Sequence, residues 1–279
     1  MNKHIRLLTM VAATLAIISS VGCSKLRARD QLNKGVTAYK NAKYEEAIDH
    51  FQQAVTLDPK LLNAKMYLAT AYAEQYIPGA DTPENNQMAT QAIEQYQHVL
   101  DAPNTARDQR VNSAKGVAYL YLNMKKFDEA KKYYRLASDS DPNDPEPYYS
   151  VGVIDWTACY QPRMEERAKL GLKPEESLNP KNKDQKKACD ELKQKNAPAV
   201  QEGIESLNKA IELRPDYDDA MAYMNLMYRE KADVECDDLA TRAEDLKTAD
   251  GWVDKTMATK KAKAEKQPGT QGITMDQPK

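Results

Sequence analysis

Four cysteines, Cys23, Cys159, Cys189 and Cys236, are the residues of this 279-residue chain whose types and spacing bear most directly on chemistry. No two of them stand at the short spacing of a zinc site. The histidines nearest in kind, His50 and His98, lie far away in sequence, so neither a metal nor a cofactor is expected. Cys159, Cys189 and Cys236 allow at most one intramolecular disulfide among themselves, and three pairings stay open. A bond from Cys189 to either of the others would pin a long charged segment to the rest of the chain. Nucleophile, zinc-protease and phosphate-loop motifs of the forms GxSxG, HExxH and GxxxxGK[ST] do not occur. The acidic run Asp139, Asp141, Asn143, Asp144, Glu146 has the look of a calcium loop but fails as one. Its sixth position is Asp144 instead of glycine, its twelfth is Ser150, and Pro142, Pro145 and Pro147 stiffen it. No catalytic residue is assigned, and the chain reads as non-enzymatic; the competing reading is an envelope enzyme with its site within residues 160–198.

The amino terminus speaks to location. Lys3 and Arg6 precede an apolar run from Leu7 to Ile18 that is too short to span a bilayer as a helix. Charge, apolar middle and small-residue end together predict an export signal over residues 1–22. Cys23, directly after Val21 and Gly22, resembles the acylated cysteine of the bacterial lipobox, with Ser20 departing from the usual leucine. The resemblance implies lipidation at Cys23, a short tether over 23–29, and a place on the bacterial envelope. Ser24 instead of Asp fits the outer membrane, facing the periplasm. Removing residues 1–22 leaves 38 basic against 42 acidic side chains, a net charge of −4 that does not suggest nucleic acid as a partner.

Positioning elements come from a repeat. The series Tyr44, Ala47, Phe51, Ala54, Pro59 returns as Phe127, Ala130, Tyr134, Ala137, Pro142 and again as Val200, Gly203, Leu207, Ala210, Pro215. Steps of three and four place the first four positions on one helical stripe, and proline then stops the helix. Small residues there let a neighbouring helix approach closely. Further apolar helical stretches lie upstream, Leu32 to Asn41, Val111 to Met124 and Tyr148 to Thr157, so the unit is a helical hairpin.

These residues resemble the tetratricopeptide repeat family, whose 34-residue unit has small residues near positions 8, 20 and 27, a large one at 24 and proline at 32. Gly35, Ala47, Phe51, Ala54 and Pro59 match in the first copy, and Ala118, Ala130, Tyr134, Ala137 and Pro142 in the third. The resemblance implies an all-α fold, a right-handed α-solenoid of about five hairpins. Repeats are placed at about 28–59, 62–103, 111–142, 145–215 and 218–236, within a solenoid over 30–236. The fourth carries an insertion, 160–198, with helical pieces at 163–170 and 184–195 separated by Gly171, Pro174 and Pro180. A capping helix over 237–266 and a disordered tail over 267–279 complete the chain. In this family the first helices line a groove for protein or peptide partners. Carried over, that groove holds Leu32, Val36 and Tyr39; Met66 and Thr70; Lys115 and Tyr119; Tyr149, Val153 and Trp156; Leu226 and Arg229. Aromatic anchors suit an extended or helical peptide. The expected function is a membrane-anchored scaffold for protein–protein interaction, of unknown oligomeric state.

Overall fold

A computed structural model describes residues 23–173 and 176–266. The export signal and the tail expected at 267–279 lie outside the described residues. Among the described residues there are ten helices and no strand, an all-α solenoid built from antiparallel hairpins. The chain divides into two units, at Asp141 and Pro142.

The first unit contains α1 (23–40), α2 (Tyr44–Leu57), α3 (Leu62–Gln75), α4 (Pro83–Leu100), α5 (Arg107–Asn123) and α6 (Phe127–Ser140). Its repeat stripe is core: Ala47, Phe51, Ala54, Ala130 and Ala137 are fully buried, and Tyr134 nearly so. Burying a side chain the size of Phe51 contributes about 2–3 kcal/mol, which these short helices need. The α1–α2 and α5–α6 turns are built alike. Ala42 and Lys125 both take positive φ, 57° and 58°, and the next residue donates its N–H five residues back, Lys43 to Ala38 and Lys126 to Tyr121. This is a Schellman closure of the first helix, achieved without glycine. The longer turn between α3 and α4, residues 76–82, is held by the buried Asn85. Its side chain accepts from Ile77 N–H at 2.7 Å and donates to the carbonyls of Ile77 and Ala80 at 2.9 and 2.7 Å.

The second unit contains α7 (Pro145–Lys169), α8 (Lys183–Leu213), α9 (Asp218–Val234) and α10 (Leu239–Lys266). Asp144 caps α7 by accepting from Glu146 N–H at 3.0 Å, which gives the acidic run its structural role at a helix start. Leu207, Met224 and Met227 centre the core.

Two sequence expectations change, and a third is sharpened. Residues 23–29 are not an extended tether but the described start of α1. The capping helix expected over 237–266 is present as α10 and packs along α9 as the second helix of a fifth hairpin. Lys263 of α10 reaches Asp218 at the start of α9, and Lys231 near its end bonds Asp245 at 2.6 Å. Most importantly, the insertion is not an excursion between two short repeat helices. α7 continues through Pro162 for 25 residues and α8 through Pro198 for 31. The extra sequence lengthens both helices of the fourth hairpin into an arm, whose tip is described at 170–173 and 176–182.

Candidate functional site

In the first unit the groove residues lie on α1, α3 and α5. Leu32, Val36, Tyr39 and Met66 pack half-buried against the core. The Tyr39 hydroxyl donates to Glu74 Oε1 at 3.1 Å, and its ring stands edge-on to Tyr44 with centroids 5.4 Å apart. Burial, then Glu74, raises the Tyr39 hydroxyl well above an ordinary tyrosine. Thr70 shares a 3.0 Å hydrogen bond with the Tyr96 hydroxyl. Lys115 is half-buried one turn before Tyr119, whose ring is 50% exposed. This face therefore mixes half-buried apolar side chains with Thr70 and Lys115, and Tyr119 is its one largely open aromatic ring.

The second unit gathers its aromatic residues. From α7, Tyr149, Trp156 and Tyr160 follow at steps of seven and four, along one helix face. Tyr223 of α9 stands edge-on to both Tyr149 and Trp156, at 5.7 and 5.5 Å. Tyr217, just before α9, lies 4.9 Å from Tyr149, and Tyr160 lies 5.0 Å from Trp156. Guanidinium groups close both ends, Arg214 at 4.4 Å over Tyr217 and Arg163 at 5.3 Å over Tyr160. The result is a continuous band of five rings, most of them half-buried. From Tyr149 to Tyr160 it follows about 16 Å of helix, the length of about five extended peptide residues.

Burial raises the hydroxyls of Tyr149 and Tyr223, and pushes Tyr217 up to about 12 against the opposing pull of Arg214. All three stay neutral donors at physiological pH. Arg229, predicted for the groove, is turned to α10 through Asp250 at 2.8 Å and to Asn225 at 3.0 Å. Tyr217 and Tyr223 escaped the sequence reading. The spacing of Tyr223 three residues before Leu226 was the available signal.

Residues 28–61 and 116–144 match two family models, each described as tetratricopeptide repeat. The chain therefore carries tetratricopeptide repeats. No curated protein matches the chain. Among solved structures, a crystal structure of MamA protein covers 87% of this chain with 97% of its own, at 12% identity and a TM-score of 0.55. A MamA RS-1 double mutant covers 86% with 97% of its own, at 15% identity and a TM-score of 0.55. MamA from Desulfovibrio magneticus RS-1, residues 41 to the end, covers 85% with 96% of its own, at 15% identity and a TM-score of 0.52. At such identities the likeness shows the shared helical-repeat fold alone.

The cysteines sit apart from the aromatic band in role. Cys189 and Cys236 form a disulfide with Cα atoms 6.3 Å apart, joining α8 to the turn between α9 and α10. Cys159 is buried outside that bond and Cys23 is exposed. Cys189, Asp190 and Asp237 cluster as metal ligands would. The disulfide consumes the Cys189 thiolate, however, and Lys186 Nζ lies 3.2 Å from a carboxylate oxygen of each aspartate. No described helix is long and apolar enough to cross a membrane.

Proposed function

We propose that this repeat protein is an exported, lipid-anchored scaffold of the bacterial cell envelope that holds a protein partner, in the assembly of an envelope or secretion complex. The band from Tyr217 to Tyr160 carries this reading. Tyr149, Trp156, Tyr160 and Tyr223, kept partly open on the adjoining helices α7 and α9, are costly to solvate and are of the residue types that dominate protein interfaces. Charged side chains of the arm support binding over catalysis, because Arg163, Arg167 and Lys193 are engaged with carboxylates of the same unit.

The anchor rests on the export pattern and on Cys23, exposed at the described start of α1. With α1 helical from that residue, an acylated Cys23 would hold the first unit close to the outer-membrane surface, facing the periplasm. Two experiments test the two parts. Cys23→Ser should move the protein from the membrane to the soluble fraction, and unchanged fractionation removes the anchor. Tyr149→Ala with Trp156→Ala should abolish partner crosslinks in intact cells while helical circular dichroism persists. Undiminished crosslinking in that variant removes the aromatic band as the docking face.

A further inference from the structure

Each long helix of the fourth hairpin holds an internal proline, Pro162 in α7 and Pro198 in α8. Proline lacks an N–H and crowds the carbonyl four residues back, here Ala158 and Gln194, so each helix has one weakened turn. The weakened turns face each other. The Asn196 side chain donates to the Cys159 carbonyl at 3.1 Å, and the Cys159 thiol lies 3.7 Å from the Asn196 carbonyl, both residues being buried. Because the helices are antiparallel, this contact has Pro162 on its distal side and Pro198 on its proximal side. Asn196 therefore binds the two helices together where both lack a backbone hydrogen bond.

Beyond that level the arm has a core of its own. Leu178, Leu192, Cys189 and Cys236 form a cluster flanked by Leu170 and Leu172, separate from the one around Leu207 and Met227. Its attachments to the α9–α10 turn are few: the disulfide, Lys193 to Glu235 at 2.9 Å, and Lys186 to Asp237 at 3.2 Å. The lysine pairs are largely exposed and each contributes little. Among these attachments only the disulfide closes the arm covalently.

We infer that the arm is a hinged element latched by Cys189–Cys236, bending about the Pro162 and Pro198 level when the latch is open. Opening takes two electrons and two protons from a dithiol. The S–S bond breaks, both cysteines become thiols, and the dithiol is oxidised to its own disulfide. The apolar faces of Leu178 and Leu192 become accessible, and because Arg163 and Arg167 lie beyond Pro162, bending also parts them from Glu230 and Asp233 of α9. Oxidised and reduced chains thus differ in the arm and agree elsewhere.

Hydrogen exchange with mass detection on the full chain, before and after dithiothreitol, tests this. Amides over 163–195 should exchange at least ~10-fold faster after reduction, with 145–157 and 200–213 changing less than ~2-fold. A Cys189→Ser, Cys236→Ser variant should show the reduced pattern without reductant; if it fails to fold, the reduced wild type still decides. Unchanged exchange in the arm overturns the latch. Equal acceleration along the whole of α7 and α8 overturns the hinge.

Discussion

Arg163 and Asp233, seventy residues apart, meet at 2.6 Å between α7 and α9. The pair belongs to a cluster in which Arg163 also lies 3.1 Å from Glu230, Arg167 lies 2.9 Å from Asp233, and Arg242 of α10 stands 4.0 Å away. Arg167 and Glu230 are almost wholly buried, at 2% and 1% exposure. Desolvating so many charges costs several kcal/mol per ion, and mutual attraction offsets this only with dense pairing. Three guanidinium groups around two carboxylates supply that density. The cluster therefore fixes which faces of α7, α9 and α10 meet more than it adds net stability.

Glu230 gives the cluster a pH signature. Burial, only partly countered by Arg163, pushes its carboxyl up to about 7. With a folded value above the ordinary one, the folded state binds the extra proton between about pH 4.5 and 7. The associated stability is fully present below about 4.5 and is lost as pH rises through about 7, with roughly 3 kcal/mol as its upper bound. Thermal melts from pH 5 to 8 should show the wild type losing more stability than Glu230→Gln over that range. Parallel pH profiles would contradict the assignment.

The disulfide should be visible in solution by connectivity and by stability. Peptide mapping without reductant should find Cys189 joined to Cys236, with Cys159 resistant to alkylation until the chain unfolds. Closing a loop of 47 residues corresponds to about 4 kcal/mol in the chain-entropy account. Cys236→Ser should therefore lower the melting temperature, whereas Cys159→Ser should leave the Cys189–Cys236 linkage in place. A Cys159 linkage in the native protein would count against the whole arrangement.

Much of the fold was legible because packing at a helical stripe demands particular sizes. Ala47, Phe51, Ala54, Leu207 and Ala210 are all at 0% exposure, as their spacing required. The arm was not legible, because Pro162 and Pro198 each carry a local cost of about 3 kcal/mol inside a helix and so read as breaks. What offsets that cost is tertiary: Asn196 across the hairpin, the disulfide and the arginine cluster. Arg167 and Glu230 were equally hidden, since a charge in sequence reads as solvated until its partner, more than sixty residues away, is placed beside it. Of the aromatic band, Tyr149 and Trp156 followed from the repeat register. Tyr217 did not, because it belongs to the junction before α9 and not to a helix stripe.

Asn85 tests whether a single side chain organises the α3–α4 turn. It satisfies both backbone groups of Ile77 and the carbonyl of Ala80 from a buried position. Asn85→Ala strands the Ile77 N–H and the Ala80 carbonyl, while the Ile77 carbonyl keeps the Ala80 N–H at 3.2 Å, at a cost of about 1–3 kcal/mol. Amides at 76–82 should then lose exchange protection while those of α5 and α6 keep theirs. Unaltered protection at Ile77 would mean that the turn is held by its backbone alone.

Gly152 and Gly203 lie within helices, where alanine would ordinarily gain about 1 kcal/mol. At Gly152 an added Cβ would stand 2.5 Å from Leu207 Cγ and 2.8 Å from its Cδ2, and Leu207 is fully buried. A branch point fixed in the core cannot move aside without displacing α8 from α7. Overpacking of this kind costs about 1–3 kcal/mol, so Gly152→Ala should be net destabilising by roughly 1–2 kcal/mol despite its better helix propensity. At Gly203 the first atom met is the terminal Cε of Met227, the end of a flexible side chain, with Asp155 Cβ next at 3.2 Å. Methionine can rotate its methyl away, so Gly203→Ala should cost less than Gly152→Ala in denaturant unfolding. Equal losses would show that α7 and α8 yield as readily as a methionine methyl, against the close helix contact that the repeat demands.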